Sequence, residues 1–291
     1  MSRKLLSVAF VFLFLTAMVC SADSESRPAS PAEKDFFEKT VAACQSSVAA
    51  INFWEKLDES GHENSEYEFV SVGTENAPLV HHYYVEWADQ ERIEKASQEI
   101  SAALEKKLPD AQEASEKVDL QQLETIAEQI AVAATAGNLA EVERLHKVAE
   151  EISAHNEQLF AKTDLEFKET IEKLAARDAR AVVRIGINQF YQGFDAEPAA
   201  AKLADGTVFY RVENGRMYNE SWVEGTSYIL FGKNWKMQQD EAGYSAEVPE
   251  APDTPHTTIQ TVVLAVEAEQ KRARQILDSM NLKALKELLS Q

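Results

Sequence analysis

Between Asn138 and Arg177 apolar residues recur at spacings of three, four and seven, with no Pro or Gly among them. Leu139, Val142, Leu145, Val148, Ile152 and Leu159 open this stripe, and Phe167, Ile171 and Leu174 continue it. The period predicts one long helix, or two nearly continuous ones that part at Lys162-Thr163-Asp164, where the stripe loses register and Thr163 or Asp164 can cap. Acid-first pairs four apart, such as Glu143 with Lys147 and Glu169 with Lys173, contribute only about 0.2–0.5 kcal/mol each. Packing of the stripe must therefore hold the helix, and a partner helix is required. A second copy of the chain, in a homo-oligomer, is one source of that partner. The other is the helix expected from Asp119 to Ala136, which Gly137-Asn138 closes, so that an antiparallel helical hairpin follows.

Upstream, Ser30-Pro31-Ala32-Glu33 combines a cap, a Pro at the first helical position and a Glu three residues after the Ser, which predicts a helix to about Leu57. Tyr67–Val72 and Leu79–Trp87 read as strands of a β-hairpin over 67–87. Helix resumes near Ala88 and continues to Lys107, where Pro109 stops it. Ala181 to Phe194 follows a helix without a break and is read as its continuation, ending near Gly193. Thr207–Glu213 and Arg216–Trp222 flank Asn214-Gly215, a type I′ hairpin signal, and Ser227–Phe231 and Trp235–Gln238 complete an antiparallel β-meander over 207–238. Tyr228-Ile229-Leu230-Phe231 is apolar on both faces, so helices are expected to cover it from both sides. Residues 241–256 hold three prolines and read as a linker, and 257–291 as a C-terminal helix, kinked near Asn281.

The predicted class is α+β and helix-dominated: a long antiparallel helical hairpin or bundle over 31–240 that carries the N-terminal β-hairpin and the β-meander. Ahead of it, Met1 to Ala22 has Arg3 and Lys4, an apolar run from Leu5 to Val19, and small residues before Asp23, the pattern of a signal peptide. Residues 23–30 are expected to be a flexible N-terminus. An uncleaved anchor and lipidation at Cys20 are the alternatives. The expected location is extracytoplasmic, periplasmic or secreted, with the membrane met only transiently through the signal sequence.

The full chain of 291 residues has a formal charge of −20. Losing Arg3 and Lys4 leaves 27 basic against 49 acidic residues, near −22. No basic run offers a face to phosphates, which argues against nucleic acid and anionic membrane as partners. Cys44 is the sole cysteine beyond Cys20, so no internal disulfide is available after cleavage, and its place among Phe37, Val41, Val48 and Ile51 marks a buried apolar residue rather than a reactive thiol.

Chemical motifs are sparse. Glu143-x-x-His146 puts a carboxylate and an imidazole on one helical face, but di-metal bundles need the motif twice, and Glu59-x-x-His62 straddles a helix-ending Gly. His155 falls on the side opposite His146. His81 and His82 point to opposite faces of a strand; one of them with a carboxylate such as Glu86 would be the basis of acid–base or metal chemistry. No Gly-rich phosphate loop, nucleophile elbow or zinc-binding helix motif is present. No cofactor or metal is expected. The aromatics of the meander suggest a binding surface, and alternation selects Tyr210, Tyr218 and Trp222 as ligand-binding candidates. The sequence therefore predicts an exported, acidic, non-enzymatic protein that binds a protein or small-molecule ligand through its helices and aromatic sheet. The alternative is an extracytoplasmic hydrolase or metal-dependent enzyme built on His81 or His82.

Overall fold

A computed structural model describes residues 26–61, 68–71, 77–116, 120–218, 221–241, 243–249 and 254–289. The expected signal sequence, Cys20 and His62 lie outside the described residues. The fold is α+β. Among the described residues, six helices (α1 Pro31–Ser47, α2 Gln90–Glu116, α3 Leu120–Thr135, α4 Leu139–Leu174, α5 Gln270–Ser279 and α6 Leu282–Leu288) accompany fifteen strands. Among the described residues no helix is long and apolar enough to cross a membrane.

The centre is a seven-stranded antiparallel sheet. In spatial order its strands are β2 (Glu55–Ser60), β4 (His81–Ala88), β6 (Arg180–Ile187), β15 (Thr261–Ala268), β12 (Gly225–Gly232), β9 (Val208–Val212) and β8 (Ala199–Lys202). β6 and β15 sit near its middle, and all eight residues of β15 are buried. Alternation sends Val183, Ile185, Ile187, Val262, Leu264 and Val266 to one face, against α1, α5 and α6, where Phe36, Phe37, Cys44, Leu277 and Leu285 meet them. The other face is covered by smaller sheets. β7 (Tyr191–Phe194), β14 (Gly243–Glu247) and β13 (Lys236–Asp240) form one of these, and its Phe194 and Ala246, with Trp235 just ahead of β13, pack on Tyr228 and Leu230. β5 (Ala176–Arg177), β11 (Ser221–Val223) and β10 (Arg216–Tyr218) form the other. Tyr228–Phe231 is thus covered on both sides as its sequence implied, but one cover is β rather than helical.

Several local expectations give way to this sheet. Residues 181–187 and 261–268 are strands, not helix, because AVVRIGI and TVVLAVEA are β-branched runs that fit a strand buried on both faces. The C-terminal helix is therefore confined to α5 and α6, parted at Asn281. α1 ends at Ser47, and Leu57 belongs to β2. The strands expected to form the first hairpin both exist but separate: β3 (Phe69–Ser71) pairs with β1 (Ser26–Pro28), within the stretch expected to be flexible, whereas β4 pairs with β2 and β6. The meander divides similarly. β9 pairs with β12 and β10 with β11, so Asn214-Gly215 is a crossing between sheets instead of a hairpin turn. Part of the expected 241–256 linker is β14, which closes the cover sheet.

The helical hairpin is present, with its long limb formed by one helix rather than two. α4 runs unbroken through Thr163-Asp164 for 36 residues, about 54 Å. Thr163 turns its hydroxyl back onto the Leu159 carbonyl and so does not cap a second helix. α3 packs along the first half of α4 and α2 along the second. α2 continues past Pro109, which lies on the exposed side and removes a single N–H from the ladder there. At the base of this arm Asp178, in a left-handed conformation (φ 45°), accepts both arms of Arg272, while Arg92 donates to the Arg177 and Asp178 carbonyls. Along the arm's seam, Leu145 is 3% exposed. Leu145→Asp buries an unpaired charge there and is expected to destabilise the arm by about 3 kcal/mol or more; circular dichroism should lose helix signal and limited proteolysis should open residues 90–174. Unchanged protection of that segment would contradict the buried seam.

A second clamp fastens the chain's start. Ser30 and Glu33 form the expected capping box, but Glu33 is also the meeting point of three segments. Arg27 donates to both its oxygens at 2.7 and 2.8 Å, the Ser30 N–H donates at 2.6 Å, and His256, from the approach to β15, lies at 3.0 Å. Arg27 above all holds this 1%-exposed carboxyl well below the usual carboxylate range. Its contribution to stability is complete above the unfolded-state value of about 4.3 and is lost as pH falls below that. Glu33→Ala is expected to cost on the order of 3 kcal/mol at neutral pH and to flatten the acid limb of a denaturation series; an unaltered acid limb would remove Glu33 from this role.

Candidate functional site

The face of the sheet away from α1, α5 and α6 is not completely covered. Between the two small sheets lies a pocket of about 330 Å³, lined among others by His82, Tyr84, Arg184, Gln189, Gln192 and Tyr228. Its origin is in the register. Tyr84 pairs with Arg184, Arg184 with Ala265, and Ala265 with Tyr228, so one row across four strands reads Tyr, Arg, Ala, Tyr. The adjacent row places Gly186 between His82 and Val263. The small Ala265 leaves the hollow in the first row, with Arg184 beside it and the two tyrosines at the ends, while in the second row Gly186 makes room for a crossing side chain. Gly186 is also needed locally, since a Cβ there would lie 2.3 Å from Oε1 of Gln189, whose side chain crosses directly above it.

Below this hollow is a chain of ions and phenols. Glu267 is nearly buried and receives Arg184 on one oxygen and Arg216, at 2.5 Å, on the other. Glu86 pairs with Arg180 and accepts from the Tyr84 hydroxyl, and Arg180 donates to Ser221 Oγ at 3.0 Å. Arg180 lies over the Tyr218 ring at 4.8 Å and Arg184 over the Tyr84 ring at 5.5 Å. Burial, reinforced by Tyr218, pushes the Tyr84 phenol up to about 12, so it remains a donor at any physiological pH. Burial likewise raises Tyr228. Arg184 and Arg216, 43% and 45% exposed at the side chain, are the cations that reach solvent.

The sequence candidates are scattered around this place. Tyr218, on β10, belongs to the network through Arg180 and Tyr84. Tyr210, on β9, continues the central row one strand beyond Tyr228. Trp222, on β11, stacks under Arg177 at 4.5 Å. The three do not form one surface. His81 and His82 do point oppositely: His81 is buried on the helical side, where burial pushes it down to about 4, and His82 is exposed at the pocket rim. Glu86 shares a face with His82 but stands four residues along, about 13 Å away, and is committed to Arg180 and Tyr84. Glu143, His146 and His155 are exposed on the arm, and among the described residues no group of three His, Cys, Asp or Glu side chains could hold a metal ion. Cys44 is fully buried and burial raises its thiol to about 12, as expected of a packing residue.

Arg184, Arg216 and Glu267 were not legible as candidates. They are 83 residues apart from Arg184 to Glu267, and two of them lie in stretches whose local period predicts helix. An alternating reading of Val182, Arg184 and Gly186 against Val263, Ala265 and Glu267 would have found them.

Comparison with protein-family models, curated proteins and solved structures returned no significant match.

Glu267→Gln is expected to lower stability by about 2 kcal/mol, because Arg184 and Arg216 then face each other without a carboxylate, whereas the half-exposed Arg216→Ala should cost less than about 1 kcal/mol. Chemical denaturation of both variants checks the order; equal effects would show that Glu267 does not join the two cations.

Proposed function

We propose that this is an exported, non-enzymatic binding protein whose hollow on the sheet face takes a small polar ligand, and whose helical arm is the element free to meet a larger partner. The observation that carries the reading is the juxtaposition of a small-residue floor with tyrosine walls and two solvent-reaching guanidinium groups. Such a setting offers both ring contacts and directional donors, the usual make-up of a small-molecule pocket. Export rests on the signal-type sequence of Met1 to Ala22 and suits the chain's acidity.

The hydrolase alternative has weaker support. His82 would need a carboxylate of its own to act as an oriented base, and the one nearest along its face is already paired.

A thermal-shift screen of polar small molecules should yield stabilising compounds, and their effect should vanish in Ala265→Leu, which extends a side chain into the hollow. Compounds that stabilise Ala265→Leu equally well would place binding elsewhere and overturn the reading.

A further inference from the structure

We propose that the pocket selects a small anion, specifically a carboxylate carried on a planar ring, which docks its charge on Arg184 and Arg216 and its ring over Ala265 beside Tyr228. The inference rests on the pocket being a ligand site and goes on to name the ligand's chemistry.

The charge argument is local and opposes the sign of the whole chain. Two guanidinium groups share the single carboxylate of Glu267, one on each oxygen, while the deeper pair, Arg180 with Glu86, is already balanced. Within this triad one positive charge is left over. Asp195 also acts on Tyr228, and it accepts from the Asn214 amide at 2.9 Å. Burial and the neighbouring Arg216 both disfavour the charged form of Arg184, the condition that an added anion would relieve. Because each guanidinium uses one N–H group on Glu267, its remaining donors are available for a fork-like contact with a second carboxylate.

Shape argues for the ring. Tyr84 and Tyr228 are three strand spacings apart, about 14 Å, with Arg184, over the Tyr84 ring, and the small Ala265 between them. The space over Ala265 admits a flat body between Tyr228 and the Arg184 guanidinium, with its edge toward Gln189 and Gln192. A bare inorganic anion would meet the arginines but leave the floor uncovered.

Calorimetric titration of the purified protein in low-chloride buffer with sodium benzoate, benzamide and inorganic phosphate tests this. Benzoate should bind at least roughly tenfold more tightly than benzamide, the effect of one charge-assisted contact, and more tightly than phosphate. The triple variant Arg184→Met, Arg216→Met and Glu267→Met removes all three charges together, so that neither a carboxylate nor a guanidinium is stranded, and should erase the preference for benzoate over benzamide. Its unfolding transition establishes that it is folded. Arg184→Lys, which keeps the charge without the fork, should retain part of the preference. Equal binding of benzoate and benzamide, or a preference that survives in the triple variant, would overturn the anion assignment while leaving the pocket itself intact. Absence of benzoate binding would also overturn it, and the thermal-shift screen would then decide separately whether the pocket binds anything. Phosphate binding as tight as benzoate would reject the ring.

Discussion

The structure depends on the need to bury two adjacent strands, β6 and β15, on both of their faces. Their sequences are apolar almost without interruption, and every backbone group in them must find a partner in the ladder. Helices from both ends of the chain cover one face, and two small sheets cover the other. Covering a flat sheet with two separate pieces leaves a gap between them, and in this protein the gap falls over Gly186 and Ala265. The pocket is therefore a consequence of how the core is closed, and its polar content follows as well. Arg184 and Glu267, on the pocket face of central strands, can be tolerated there only because each finds an opposite charge and an outlet to solvent.

The helical arm answers to a different constraint. α3 and the first half of α4 pack chiefly on each other, with a narrow seam in which Leu145 and Asn156 are the buried residues of α4. Its attachment runs through Asp178, Arg272 and Arg92, where the chain leaves the sheet as α2 and returns as β5. Sheet and arm are thus stabilised by separate interactions, which permits the arm to open without unfolding the core.

What could be read from the sequence followed from local period and local caps. The α4 stripe, its Asn138 cap, the Ser30–Glu33 capping box, the buried Cys44 and the opposed His81 and His82 are all short-range features, and all are present. The break expected at Thr163 is absent because packing on α2 outweighs a local capping tendency. The larger misreadings, at 181–187 and 261–268, arose where an apolar run next to a helix satisfies either period. Only pairing with a strand some eighty residues away decides between them. The same long range hid the site: Tyr218 was within reach of an alternation argument, but Arg184 and Glu267 become neighbours only once β6 and β15 are seen to be adjacent.

Residue-resolved hydrogen exchange tests this division of stability most directly. The account predicts that amides of β6, β15 and β12 exchange only through global unfolding, while those of α3 and the first half of α4 exchange orders of magnitude faster through local opening. Equal protection in the arm and the sheet, or rapid exchange across residues 261–268, would contradict a core built on the two-sided burial of β6 and β15.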